Sequence, residues 1–205
     1  MKNLISRLLS GIATLGLASH AFGQISLSLQ PTPQTINVGD PATMDLVVSG
    51  LGNLSAPSLG AFDFDLSYDP TILSAVSLTF GSYLDLGNFG SSRFSDLTTA
   101  GVIHLDEISF ESPGDLNNAQ PGTFTLATLS FTGLAPGTSI IDFTLSSLSD
   151  EQGQSISGFS TASGSIEVIG VSRVPDAGSS AFLLFFGLAG LSTFYRNLKR
   201  TSADL

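Results

Sequence analysis

The 205 residues contain no cysteine and no tryptophan, and only seven lysines and arginines stand against 17 aspartates and glutamates. Without cysteine, no disulfide and no thiolate metal site can form, even in an oxidising compartment. Any core must therefore hold by burial alone. Without tryptophan, and with tyrosine confined to Tyr68, Tyr83 and Tyr195, the chain is short of rings to stack on apolar sugar faces. The shortage of cations is sharpest in the middle: between Ile25 and Ile169 lie 15 acidic residues and a single cation, Arg93, a net charge of −14. Such a segment repels nucleic acid, whose binding depends on Lys and Arg neutralising phosphates. It also repels anionic membrane surfaces and attracts cations weakly. Histidine is nearly missing too. Apart from His20 near the start there is only His104, so a Ser-His-Asp arrangement would have to use it. No G-x-S-x-G elbow accompanies it, and one His without Cys cannot furnish a zinc site. Helical periodicity is almost absent between residues 25 and 169, and no internal repeat of about 20–50 residues is visible.

What is present begins at the two ends. Lys2 and Arg7 precede an apolar run from Leu8 to Ala18, followed by small residues at Ser19, Ala21 and Gly23. This order predicts a secretory signal peptide over residues 1–23, cut between Gly23 and Gln24, with cleavage after Ala21 as the alternative. At the other end, residues 170–173 form a short linker. Pro175 and Gly178 then break the preceding strand. Ser179 to Tyr195 runs 17 residues without a charge, at the short end of what crosses a hydrocarbon core of about 30 Å. Arg196, Lys199 and Arg200 follow as a basic stop, which predicts a transmembrane helix over 179–195 with its C-terminus in the cytoplasm.

Motif, apolar helix and basic cluster in this order resemble the PEP-CTERM class of bacterial sorting signals. The string Val174-Pro175-Asp176-Ala177-Gly178-Ser179-Ser180 is similar to its VPDSG variant, with Ala177 where that variant has Ser. The resemblance covers residues 174–200. It implies recognition by an exosortase-type membrane protease, cleavage near the motif, and delivery of the N-terminal part to the cell surface or beyond.

The segment between the ends alternates with period 2, the mark of strands with one face on a core and the other in water. Leu27 and Leu29, then Met44, Leu46 and Val48, then Phe62, Phe64 and Leu66, then Val76, Leu78 and Phe80 each fall on one parity. In Val102–Phe110 the apolar parity changes from Ile103 and Leu105 to Ile108 and Phe110. In Phe124–Phe131 it changes from Phe124 and Leu126 to Leu129 and Phe131. Each change predicts a β-bulge. Ile141, Phe143 and Leu145 form a further strand, and Ile166 and Val168 the last. Turns stand at Val38-Gly39-Asp40-Pro41, Asp69-Pro70, Pro113-Gly114-Asp115, Pro121-Gly122 and Pro136-Gly137. Eight or nine short strands punctuated in this way predict an all-β sandwich.

One local order is more specific. Gly60 to Leu73 reads as an alternating strand, then Tyr68-Asp69-Pro70, then a short helical turn. Asn37-Val38-Gly39-Asp40 precedes a strand ending Val48-Ser49-Gly50-Leu51, and Leu126-Ala127-Thr128-Leu129-Ser130-Phe131 follows a Pro-Gly turn. This order resembles cohesin domains, the jelly-roll sandwiches that bind dockerins, over residues 25–169. The resemblance implies a non-catalytic protein-interaction module.

Three clusters invite chemistry. Asp63 and Asp65 share a strand face at about 7 Å, and a glycosidase needs two carboxylates about 5–10 Å apart, but their alternation with Phe is ordinary amphipathic patterning. His104 lies on the parity opposite Ile103 and Leu105 and should face solvent. The Glu111–Asn118 stretch offers oxygens for calcium at Asp115, Asn117 and Asn118, although a polar turn accounts for the same residues. No catalytic residue and no cofactor other than such a calcium ion is expected. Two readings follow: an exported surface or matrix protein that binds another protein, or a carbohydrate-binding module acting on extracellular polysaccharide. In both, the partners in transit are signal peptidase, an exosortase-type protease and the membrane.

Overall fold

The computed structural model describes residues 24–170. The signal peptide over 1–23, the sorting motif and the helix over 179–195 lie outside the described residues. Eleven strands and one short helix follow in order: β1 (Ser26–Gln30), β2 (Gln34–Asn37), β3 (Pro41–Ser49), β4 (Leu59–Ser67), β5 (Leu73–Phe80), β6 (Ser91–Asp96), β7 (Val102–Ser109), α1 (Pro113–Ala119), β8 (Thr123–Gly133), β9 (Gly137–Asp150), β10 (Ser160–Ala162) and β11 (Gly164–Ile169). They form a five-stranded sheet ordered β10-β1-β3-β8-β5 and a six-stranded sheet ordered β2-β11-β9-β4-β7-β6. The sandwich is as expected. The strand count is higher because β2, β6 and β10 lack an alternating apolar row. β2 and β10 are short edge strands pairing parallel to β11 and β1, and β6 is a polar edge strand hydrogen-bonded to β7.

The core is the set of inward-facing residues that alternation singles out. Leu27, Met44, Leu46, Phe64, Leu66 and Leu105 are fully buried. Phe64 sits at the centre, stacked on Phe62 at 5.0 Å between ring centroids and meeting Phe143 edge-on at 5.8 Å. Such ring pairs add specific geometry to the area they bury.

Three sequence expectations change. In β5 the register against β8 shifts between Ala75 and Ser77. Val76 is the extra residue of that bulge and is exposed, whereas Leu78 and Phe80 pack against the core. In β7 there is no bulge: the register against β4 is unbroken from Val102 to Ile108. The inward position after Leu105 is Glu107, buried because Arg93 Nε and Ser91 Oγ both donate to its Oε1 at 2.7 Å. Ile108 and Phe110 are consequently outward and exposed. An ion pair satisfied inside the sheet edge has taken the place that periodicity assigns to an apolar residue. The bulge expected in β8 does occur, where the register against β3 shifts between Leu46 and Val47 and both Leu126 and Ala127 turn inward.

The third change concerns Glu111–Asn118, where the helix α1 (Pro113–Ala119) stands in place of a polar turn. Ser112 caps it by accepting from Asp115 N, and Pro113 occupies the first turn, where its missing N–H is not needed. The helix is tied to β4 by Gln120, fully buried, whose Oε1 accepts from Leu59 N and whose Nε2 donates to the carbonyls of Leu59 and Tyr83.

Candidate functional site

The two outer faces of the sandwich differ in chemistry. On the five-stranded sheet the outward positions are nearly all hydroxyls, among them Ser28, Thr43, Ser130, Thr132, Ser77 and Thr79. The one carboxylate facing out of β3, Asp45, accepts from Thr128 Oγ1 at 2.6 Å. The only large apolar side chain exposed there is Val76.

The outer face of the six-stranded sheet presents both apolar and charged groups. Phe94 of β6, Ile108 of β7, Ile140 and Leu145 of β9 and Ile169 of β11 are each between 43% and 55% exposed. Phe110 continues the outward row of β7. The cross-strand register explains what lies among them. Asp65 pairs with His104 and Asp63 with Asp106 between β4 and β7, and Asp96 of β6 pairs with His104 from the other side. Antiparallel pairing thus draws four aspartates from three strands around the one histidine in the described residues.

Within this cluster His104 Nδ1 lies 2.7 Å from Asp65 Oδ1 and 3.8 Å from Asp63 Oδ1, while Nε2 lies 3.4 Å from Asp106 Oδ2. The ring also packs against Phe94 at 5.6 Å between centroids. The hydrogen bond to Asp65 raises the His104 pKa above its ordinary value. Partial burial opposes this, and the charges of Asp65, Asp63 and Asp106 add to it. Asp96 is committed elsewhere: its Oδ1 accepts from the hydroxyl and the N–H of Thr98, which together hold its pKa down. Asp63 Oδ1 is buried and finds no hydrogen-bond partner. Asp63 also helps line a shallow depression of about 170 Å³, together with Ala61, Phe62, Asp106, Ile108, Ser147 and Ser149.

His104 thus faces outward as expected, but as a half-buried hub rather than a solvated side chain. Asp63 and Asp65 share a face as the strand spacing requires, and both are turned toward it. The calcium candidates are dispersed on α1. Asp115 is held by the Ser112 cap, Asn117 Oδ1 accepts from Ser58 Oγ at 2.7 Å, and Asn118 is exposed. Among the described residues no group of three or more His, Asp or Glu side chains stands where it could hold a metal ion.

Sequence reasoning missed a second device beside this face. Glu111 is buried just past β7, and its Oε1 accepts the backbone N–H groups of Leu86, Asn88, Phe89 and Gly90. Burial pushes its pKa up, but the backbone donors outweigh it and leave the carboxyl below its ordinary value. The loop between β5 and β6 is thereby wrapped on one carboxylate, with Phe89 exposed at its tip. No local pattern announces this, since the four donors are 21 to 25 residues away in sequence.

Comparison with known proteins places this geometry. The family model for the Cohesin domain matches residues 28–168. No curated protein matches the chain. Among solved structures, a type I cohesin–dockerin complex (Coh-OlpA with Doc918) from Clostridium thermocellum aligns at 16% identity and a TM-score of 0.58, over 72% of this chain and 100% of that one. A type II cohesin domain from the cellulosome of Acetivibrio cellulolyticus aligns at 21% identity and 0.56, over 70% and 95%. A non-cellulosomal cohesin from the archaeon Archaeoglobus fulgidus aligns at 15% identity and 0.54, over 72% and 92%. At these identities the structural likeness speaks for the fold.

Proposed function

The chain belongs to the Cohesin domain family, and from that membership we propose that it is an exported interaction module that captures a dockerin-type protein on the outer face of its six-stranded sheet. Cohesin domains are non-catalytic modules that bind dockerins. The observation that carries the choice of face is the asymmetry of the sandwich. Phe94, Ile108, Ile140, Leu145 and Ile169 are exposed on one sheet, against a hydroxyl-covered surface on the other. Exposed apolar groups rimmed by polar residues mark interaction surfaces, while a lawn of Ser and Thr offers little area to bury.

Binding of the full chain to a panel of dockerin modules, followed by calorimetry, tests this reading. Leu145→Asp and Ile140→Asp should abolish capture, and Thr43→Asp on the opposite sheet should leave it intact. Loss of capture only with Thr43→Asp would move the interface to the other face.

The proposal extends to delivery. Residues 1–23 direct export, with cleavage between Gly23 and Gln24. The segment from Val174 to Ser180, the apolar run to Tyr195 and the stop at Arg196, Lys199 and Arg200 hold the precursor in the membrane until an exosortase-type protease cuts near the motif. The support is the order of parts in the sequence.

A second reading, a carbohydrate-binding module for extracellular polysaccharide, has one observation in its favour. Phe94 and Phe110 are exposed on the same face, so rings are available where the scarcity of Trp and Tyr suggests none. A glycan array on the full chain distinguishes the two readings.

A further inference from the structure

We infer that the chain forms a two-fold dimer by pairing β6 with β6 of a second copy, so that two six-stranded sheets join edge to edge. Docking uses the outer face of this sheet, whereas this pairing uses its edge. Three observations carry it.

The first is which edges are open. β2, β5, β6 and β10 end the two sheets. β2 and β10 are only four and three residues long, and β5 carries the bulge at Val76. Short edges and bulges hinder the addition of another strand. β6 has neither device. Its six residues contain no proline and keep an unbroken register against β7, and Ser92, Arg93, Phe94 and Ser95 are exposed. Its inward charge, Arg93, is already paired with Glu107 and Asp85, so a strand laid beside it buries no unpaired ion.

The second is where the backbone groups of this edge point. Phe110 N donates to Gly90 O, which makes these two residues a hydrogen-bonded pair. Antiparallel ladders alternate, so Ser92, Phe94 and Asp96 also turn their N–H and C=O groups to β7 in this register. The N–H and C=O groups of Ser91, Arg93 and Ser95 therefore point to the open side, where no strand among the described residues pairs with them.

The third is that β6 fits itself. Two copies of one strand pair antiparallel about an axis perpendicular to the sheet, and residues of the same face must meet. Full overlap of six residues puts that axis on Arg93 or on Phe94. On Arg93 it would set two guanidinium groups directly opposite, which is destabilising. On Phe94 it sets the two exposed rings together in the closely spaced, non-hydrogen-bonded position. Arg93 then exchanges both backbone hydrogen bonds with Ser95 of the second copy, and the Ser92 hydroxyl faces the Asp96 carboxylate. No like charges fall opposite. The same axis leaves both outer faces pointing one way, so the dimer offers two docking faces side by side.

The test uses the full chain. It should sediment at twice the mass of one copy, and more completely as salt rises, because segments of net charge −14 repel one another until screened. Ser95→Pro removes an N–H that β7 does not use, and Phe94→Lys sets two cations together at the axis. Each should abolish the dimer while the far-UV circular dichroism stays that of the parent. The chain has no cysteine, so single introduced thiols report without background. Phe94→Cys should give a disulfide dimer under mild oxidant, since Cα atoms about 4.5 Å apart across such a pair suit the bond. Val76→Cys, comparably exposed on β5, should not. A parent chain that stays monomeric would overturn the inference. So would a dimer that survives both Ser95→Pro and Phe94→Lys, which would place the contact elsewhere, or Val76→Cys linking as readily as Phe94→Cys. None of these results bears on capture by the outer face, which the Leu145→Asp and Ile140→Asp variants test separately.

Discussion

Phe64 and Asp63 are neighbours in sequence with opposite responsibilities. Phe64 is fully buried between Phe62 and Phe143, so Phe64→Ala should cost about 3–5 kcal/mol through lost burial and an unfilled cavity. Asp63 faces outward and its attraction to His104 is only 3.8 Å long and partly solvated, so Asp63→Ser should change stability by less than about 1 kcal/mol. Urea unfolding of the two variants checks both, and equal midpoints would show the strand register to be off by one residue. His104 gives the residue-scale pH dependence. Its pKa is higher in the folded state than the ordinary 6.5, so the folded state holds its proton more tightly. The resulting stabilisation is complete below about pH 6.5 and is lost as the pH rises through the folded-state value. The urea midpoint should therefore decline from about pH 6.5 upward, and His104→Gln should flatten that part of the profile. A His104→Gln profile as steep as the parent's would place the titrating group elsewhere.

At the scale of elements, the sandwich depends on polar staples that bind loops and helix to strands. Glu111 gathers the loop between β5 and β6, and Gln120 fastens α1 to β4. Glu111→Ala should leave four backbone donors without their acceptor and release the loop while the sheets persist. Amide hydrogen exchange is the direct measurement: protection at Asn88, Phe89 and Gly90 should vanish in the variant, while β3 and β8 keep theirs. Loss of protection throughout would mean that Glu111 supports the whole fold. The bulges matter at the same scale. In β5 the bulge turns Val76 to solvent, so Val76→Thr should stay within about 0.5 kcal/mol, in contrast to the Val76 core position that alternation alone assigns.

At the scale of the whole molecule, the proposed itinerary rests on the sequence on either side of the sandwich. If the tail is a sorting signal, mass spectrometry of the surface-exposed form in the native host should find a chain beginning at Gln24 and ending near the motif, without Phe182 to Arg200. A surface form that retains those residues makes the apolar segment a permanent anchor. Pro175→Ala should slow that processing without preventing insertion, because it alters the motif and not the hydrophobicity. Leu184→Arg should impair anchoring, since a charge near the bilayer centre costs about 2.5–3.5 kcal/mol on insertion scales.

The alternation of Leu27 and Leu29, of Met44, Leu46 and Val48, and of Phe62, Phe64 and Leu66 determined by itself that these strands exist and which face is buried, because a period-2 apolar row has one way to leave water. The Tyr68-Asp69-Pro70 turn fixed the end of β4 for a similarly local reason: Asp69 Oδ1 accepts from Thr71 two residues on. Where the deciding partner is distant, the sequence was silent or misleading. Glu107 is buried only because β6 brings Arg93 and Ser91 beside it, and that same pairing sends Ile108 outward. The cluster around His104 exists only in the register of β4 and β6 against β7, which sets residues 39 apart in sequence 2.7 Å apart in space. Composition supplied the acidity of this molecule. Only the pairing of strands concentrated it on one apolar-rimmed face, since cross-strand neighbours are chosen by hydrogen-bond register and not by proximity along the chain.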